Sequence, residues 1–177
     1  MTLILILFSL RAENVHVQFD PARTKVEYTV DSTLHTVHGT FQLKRGAIDY
    51  DTVTGKASGE IVIDAASGAS GSDGRDSKMH KAVLESAKYP EIKFTPDRVE
   101  GDAGSEVRLH GQFLLHGASH ELTMTARLRK ENGVAKATVE LSIPYIQWGL
   151  KNPSVVFLKV ADKVAVHIEA DVKLGAQ

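Results

Sequence analysis

The sequence contains no cysteine, and this absence removes several kinds of chemistry at once. Without thiols the chain cannot form a disulfide, use a thiolate as a nucleophile or build a cysteine-based zinc site. A cysteine-free protein works in reducing and in oxidising surroundings alike, so the absence does not identify the compartment.

A large charge excess and long apolar runs are missing as well. The net charge is −1 with histidine neutral, which gives no long-range attraction to phosphate backbones, so we expect no nucleic-acid partner. Membrane-spanning helices need about eighteen consecutive apolar residues, and no such run is present, so we expect no transmembrane segment.

The chain also lacks the nucleophile elbow Gly-x-Ser-x-Gly and the glycine-rich phosphate loops. Its 177 residues suit one globular domain.

The first residues bear on the compartment. Thr2 to Leu10 (TLILILFSL) is too short to cross a bilayer but long enough for the core of a signal peptide. We therefore predict that residues 1–12 are a signal peptide, that residues 13–177 form the mature domain, and that the protein is periplasmic or secreted. The alternative is that this segment is the first β-strand of the fold.

The dominant hydrophobic period is two, which is typical of half-buried strands. It is clearest near the C-terminus, where apolar residues alternate with charged ones from Val164 to Leu174. Turn signals fall between such runs, at Asp20-Pro21, Arg45-Gly46, Thr54-Gly55, Gly117-Ala118 and Asn132-Gly133. About eight sequential antiparallel strands with one apolar face predict an all-β fold, favouring a closed antiparallel β-barrel, although a β-sandwich fits the same pattern.

Two segments break the alternation. Residues 76–87 are expected to form one short helix, capped by Asp76 or Ser77 and stopped before Pro90. The other break, Pro144 to Pro153, holds the only tryptophan. It leads into Val155 to Leu158, which we interpret as covered on both faces because it is apolar without alternation.

The eight histidines and one charged pair are the candidates for chemistry. His110, His116 and His120 lie around a predicted hairpin, yet strand parity places them on the polar face, so surface positions are favoured over a metal site. The pair Arg75-Asp76 sits at a loop-to-helix junction. It fits either a head-group or lid contact or a structural cap, and the cap is favoured.

Several motifs, taken in order, resemble the YceI-like family of lipocalin-like, polyisoprenoid-binding proteins, and the resemblance runs from about Val15 to Leu174. The motifs are Val26-x-Tyr28-x-Val30, Val37-x-Gly39-x-Phe41, Arg75-Asp76 with His80, Tyr89-Pro90-x-Ile92-x-Phe94, Leu115-His116-Gly117 and Trp148-Gly149-Leu150-Lys151-Asn152-Pro153-Ser154. Family members often carry Asp-x-His after the arginine, whereas here four residues separate Arg75 from His80.

The resemblance implies an all-β, lipocalin-like, extended eight-stranded antiparallel β-barrel with a long apolar lumen. It also implies a bound isoprenoid or similar amphiphile, and no catalytic residues. We therefore expect non-catalytic binding, storage or transport of a long apolar lipid, with no metal and no cofactor. The alternative is a lipid-modifying or metal-dependent enzyme that uses the clustered histidines. A homodimer is compatible with the sequence. The expected head-group or lid contacts are Arg75, Asp76 and His80. The expected lumen lining is Val26, Tyr28, Val37, Phe41, Ile61, Ile63, Met79, Val83, Phe94, Phe113, Leu115, Leu122, Met124, Trp148 and Phe157.

Overall fold

The protein forms a closed antiparallel barrel of eight strands in sequential order, as the alternating pattern predicts. This computed structural model describes residues 14–101, 106–131 and 134–176, so the predicted signal peptide at 1–12 and the Asn132-Gly133 turn lie outside the described residues. The strands are β1 (Asn14–Asp31), β2 (Thr36–Asp51), β3 (Ala57–Ala69), β4 (Glu91–Gly101), β5 (Glu106–Leu115), β6 (Ala118–Glu131), β7 (Val134–Ile143) and β8 (Val164–Ala176).

Closure comes from β1, which pairs with β2 on one side and with β8 on the other. Each of the described strands is therefore hydrogen-bonded to a neighbouring strand on both sides, although β7 pairs only with the part of β6 from Ala126 to Glu131. We call the end that carries the β1–β2 turn and the β7–β8 connection (residues 144–163) the mouth end. The end that carries the β2–β3 turn is the far end.

Two predicted turns lie inside strands, and this corrects the sequence interpretation. Asp20-Pro21 belongs to β1, whose pairing with β8 is irregular between Phe19 and Thr24. Arg45-Gly46 belongs to β2, whose pairing with β3 shifts between Leu43 and Arg45. Bulges of this kind bend a strand strongly and help a sheet to coil into a barrel.

The predicted short helix is present, but it lies earlier than expected. α1 spans Asp73–Lys78 with Ser72 at its N-cap, and a π-helical turn, Met79–Val83, continues it. Asp76 and Ser77 are therefore not caps. The carboxylate of Asp76 instead accepts hydrogen bonds from the backbone N–H and the hydroxyl of Ser70, which pulls the preceding loop onto the helix.

The barrel interior divides into a filled half and an open half. At the far end, buried side chains from four strands, β2, β4, β5 and β6, pack together around Ile48, Phe94, Val107 and Met124. At the mouth end, Leu115, Ile143, Tyr145 and Leu150 pack against the π-helical turn and the β7–β8 connection. Between these two clusters the barrel is not filled by its own side chains.

Candidate functional site

The open half of the barrel encloses a cavity of about 470 Å³, within the range of pockets that hold small organic ligands. Its walls are the inward side chains of the strands. Met79, Val83 and Leu84 cover one side, and Tyr145, Leu150 and Leu158 of the β7–β8 connection cover another. The lining is almost wholly apolar, and none of the described lining residues is a carboxylate. A second cavity of about 80 Å³ lies in the far half.

Twelve of the fifteen predicted lumen residues line the large cavity. They are Val26, Tyr28, Val37, Phe41, Ile61, Ile63, Met79, Val83, Phe94, Phe113, Leu115 and Met124. Strand parity is the reason, since β-strand side chains alternate between the two faces of the sheet. The same signal could have found more of the lining, because Leu141, Ile143, Val166 and Ile168 also lie on inward faces of cleanly alternating strands.

Three predicted lining residues lie elsewhere. Leu122 packs between the two buried clusters. Trp148 lies behind Phe113, with the ring centroids 5.7 Å apart, and so supports the wall from outside the cavity. Phe157 is 87% exposed at the mouth end, because it sits at the corner of a tight turn that points away from the barrel. The expectation that Val155 to Leu158 is covered on both faces is therefore wrong.

The cavity meets solvent at the mouth end, where its polar lining residues gather. Ser32 and His35 of the β1–β2 turn, with Arg75 and Lys78 of α1, border the opening. Of these, His35, Arg75 and Lys78 are exposed. The cavity thus has an apolar interior and a cationic rim, an arrangement that fits the two ends of an amphiphile.

The residues predicted as head-group or lid contacts fasten the helix to the barrel. Arg75 donates from Nε to Ser70 Oγ at 2.7 Å and from Nη2 to the Ser70 carbonyl at 2.9 Å. His80 Nε2 lies 2.8 Å from the Gly68 carbonyl, which makes this nitrogen the donor, and Nδ1 lies 3.0 Å from the hydroxyl of Ser86. Of Arg75, Asp76 and His80, only Arg75 also borders the cavity.

The titratable groups inside the cavity are tyrosines rather than carboxylates. Burial, together with the nearby charge of Asp76, raises the pKa of Tyr28, so its hydroxyl stays neutral. That hydroxyl lies 3.6 Å from Met79 Sδ and so joins β1 to the π-helical turn. Burial likewise raises the pKa of Tyr145, whose hydroxyl donates to the Ala161 carbonyl at 2.8 Å.

The histidines of the predicted cluster do not converge. His110 Nδ1 lies 2.8 Å from Asp97, and His116 Nε2 lies 2.6 Å from Glu85. His120 faces the interior rather than solvent, contrary to the parity argument, and its ring stacks on Trp148 at 4.3 Å. In the described parts of the chain, no three His, Asp or Glu side chains are grouped as metal ligands would be.

No helix within residues 14–101, 106–131 and 134–176 is long and apolar enough to span a membrane.

Solved structures with the same architecture are known from several bacteria. BcnA of Burkholderia cenocepacia superposes with a TM-score of 0.72 at 16% identity, covering 89% of this chain and 99% of its own. A polyisoprenoid-binding domain from Saccharophagus degradans, implicated in plant cell wall breakdown, gives 0.64 at 15% identity over 90% of this chain and 98% of its own. The Campylobacter jejuni YceI protein gives 0.58 at 19% identity over 80% and 85%. At these identities the likeness concerns the fold.

A search of curated proteins finds no match to this chain. The YceI-like domain model, in contrast, matches residues 18–172, which include most of every strand and the whole of the cavity wall. The chain therefore belongs to the YceI-like domain family.

Proposed function

We propose that this protein binds one long apolar or amphiphilic lipid, such as a polyisoprenoid or an isoprenoid quinone, inside the barrel. The observation that carries the proposal is the cavity of about 470 Å³, apolar throughout its depth and open at one end. One of the structures with the same fold is described as a polyisoprenoid-binding domain, which supports the same class of ligand.

The energetics favour a chain of moderate length. Transfer of each CH₂-sized group from water to an apolar site is favourable by about 0.8 kcal/mol. Association costs roughly 4–15 kcal/mol, so a chain of about 15–20 carbon atoms is long enough for useful affinity. A lumen that recognises its ligand by apolar contacts discriminates weakly among lengths, because one methylene changes binding by only ~1–3 kcal/mol. We expect a carrier or store of broad selectivity.

The cationic rim of the cavity offers a place for the polar head group of the ligand. Arg75 and Lys78 are exposed cations at the opening, so a phosphate or carboxylate head group could lie against them while the chain fills the interior. Arg75 already binds Ser70, which holds its guanidinium in place beside the opening. We infer that Arg75 is the better placed of the predicted head-group contacts.

The same features argue against the alternative of a lipid-modifying or metal-dependent enzyme. The described cavity lining offers no carboxylate, and His110 and His116 of the β5–β6 hairpin bind separate partners, Asp97 and Glu85. We therefore propose a non-catalytic protein that needs neither metal nor cofactor. Elemental analysis after gentle purification should find less than one zinc, copper or iron per chain.

The direct test is to purify the protein from its own host and identify what it carries. Native mass spectrometry, followed by organic extraction, should show one lipid-sized mass per chain that disappears on extraction. A chain that carries nothing, and that fails to take up a fluorescent isoprenoid alcohol, would refute the proposal. Because we also propose export, N-terminal sequencing of the same material should find a start near Glu13.

A further inference from the structure

The β7–β8 connection ends in an exposed apolar turn. Val155, Val156 and Phe157 are 53%, 81% and 87% exposed. Two hydrogen bonds close the turn, from Val155 N to the Leu158 carbonyl at 2.9 Å and from Leu158 N to the Val155 carbonyl at 3.1 Å. The backbone therefore holds Val156 and Phe157 at the corners of the turn.

A second exposed apolar side chain lies at the same end. Leu34, in the β1–β2 turn, is 71% exposed. Its neighbour Thr33 donates from its backbone N–H to the Lys159 carbonyl at 2.9 Å, so the two turns are hydrogen-bonded to each other. Ser32, Leu158 and Val160 of these turns line the cavity. We call Leu34, Val155, Val156 and Phe157 the mouth tip, and it stands beside the opening.

Positive charge flanks the mouth tip. Residues 151–159 contain Lys151 and Lys159, both exposed, and no aspartate or glutamate. Lys78 of α1 reaches the same segment and donates to the Pro153 carbonyl at 2.7 Å. Two exposed carboxylates lie nearer the strands, since Asp31 is the last residue of β1 and Asp162 comes two residues before β8. The outermost part of the mouth end is thus apolar with a lysine border.

We propose that the mouth tip docks on an anionic lipid bilayer, with Val156 and Phe157 inserted among the head groups and the lysines against the lipid phosphates. Apolar side chains next to basic ones are the usual elements of interfacial binding, and each lysine near an anionic surface strengthens it roughly fivefold. A second copy of the chain is a poorer fit, because stable protein interfaces use about 20–30 residues on each side and the mouth tip has four.

Docking of this kind would place the cavity opening against the bilayer. A long lipid could then pass between membrane and barrel without exposing its chain to water. This transfer step rests on the proposed function, whereas the docking does not depend on what the cavity holds.

Sedimentation with vesicles tests the docking. Wild-type protein should co-sediment with vesicles of 70% phosphatidylcholine and 30% phosphatidylglycerol, and less with phosphatidylcholine alone. Val156→Ser combined with Phe157→Ser should lower the partition coefficient about tenfold or more. Val53→Ser is the matched control, because Val53 is 49% exposed at the far end of the barrel, and it should bind like wild type. Equal binding by the double variant, or a concentration-dependent dimer that the double variant abolishes, overturns the proposal.

Probe uptake separates docking from ligand binding. A fluorescent isoprenoid alcohol is supplied either from ethanol or from the same anionic vesicles. The double variant should take up the probe from ethanol as wild type does and from vesicles several-fold more slowly. If wild type takes up no probe by either route, the proposed function fails while sedimentation still decides the docking. Uptake from vesicles at the wild-type rate by the double variant refutes the transfer step.

Discussion

The aromatic ring of Tyr28 lies directly over Gly39, its cross-strand partner in the β1–β2 pair. A side chain added at position 39 would collide with that ring and with the Ala69 carbonyl. The same ring contacts Phe41 at a centroid distance of 5.3 Å, and its hydroxyl reaches Met79. Gly39 therefore permits the packing that joins β1, β2 and the π-helical turn at one wall of the cavity.

Gly39→Ala should destabilise the protein by about 1–3 kcal/mol, because the added methyl group overpacks the wall and displaces the Tyr28 ring. The denaturant midpoint measures this change. Gly74→Ala is the control, since nothing lies within 4 Å of a Cβ added there, and it should be neutral or slightly stabilising. If Gly39→Ala were as stable as wild type, the Tyr28 ring would not need a glycine at position 39 in order to pack.

Phe113→Ala should weaken binding of the fluorescent isoprenoid alcohol about tenfold, because the Phe113 ring forms part of the apolar cavity wall. The loss of folding stability should stay below the ~3–5 kcal/mol of a Phe→Ala change in a filled core, since one face of the ring already borders open space. Paired measurements of denaturant midpoint and probe affinity check this expectation.

Gln112→Ala is the matched control for Phe113→Ala, because Gln112 is exposed on the opposite face of β5. Gln112→Ala should change neither the denaturant midpoint nor the probe affinity. Phe113→Ala could instead lose the full ~3–5 kcal/mol of folding stability while the wild type binds no apolar probe. That result would mean that the barrel interior only stabilises the fold.

Strand parity predicts the barrel wall well where the strands are regular. Along β5 to β8 the pattern of period two identifies the inward faces, including Phe113 and Met124. Parity fails across the bulges of β1 and β2, because each irregularity exchanges the inward and outward faces. In β1, Phe19 and Val26 both face the interior although they are an odd number of residues apart.

Sequence patterns also could not show which apolar segments are exposed to solvent. Val155 to Leu158 has the composition of a buried strand, yet its turn closes on itself and leaves Val156 and Phe157 exposed. His120 differs, because the parity of its own strand does predict its inward position. Its strand, β6, puts even-numbered residues inside from Leu122 onward, and the pairing of His120 with Phe113 extends that parity to the hairpin.

His120→Phe should stabilise the protein by about 1 kcal/mol. The Nε2 atom of His120 is buried without a hydrogen-bond partner in the described structure, and an unpaired polar atom of this kind lowers stability. Phenylalanine keeps the stacking on Trp148 and removes the unpaired nitrogen. Thermal unfolding checks the shift, with His110→Phe as the control that should gain nothing, because the His110 side chain is 42% exposed and bound to Asp97. A lower melting temperature for His120→Phe would show that Nε2 has a partner in solution.

The attachment of α1 to the preceding loop should depend on pH through Asp76. Hydrogen bonds from the hydroxyl and the backbone N–H of Ser70 hold the pKa of Asp76 below its usual value of 3.8, with the charge of Arg75 contributing less. A carboxyl whose pKa is lower in the folded state stabilises that state above its unfolded pKa. The contribution is lost as the pH falls through the folded pKa. The stabilisation from Asp76 should thus be complete at pH 5 and reduced at pH 3.

The measurement compares unfolding midpoints of wild type and Asp76→Asn at pH 5 and pH 3. Wild type should be the more stable protein at pH 5. The difference should shrink at pH 3, which lies below the usual pKa of 3.8, because the unfolded chain then takes up a proton at this carboxyl. Asp73→Asn is the control, because it removes the same charge three residues earlier on α1, where the side chain is exposed. A gap between wild type and Asp76→Asn that stays constant from pH 5 to pH 3 would show that the carboxylate charge does not hold Ser70 against the helix. In that case the guanidinium contacts of Arg75 to Ser70 would alone hold Arg75 at the cavity rim.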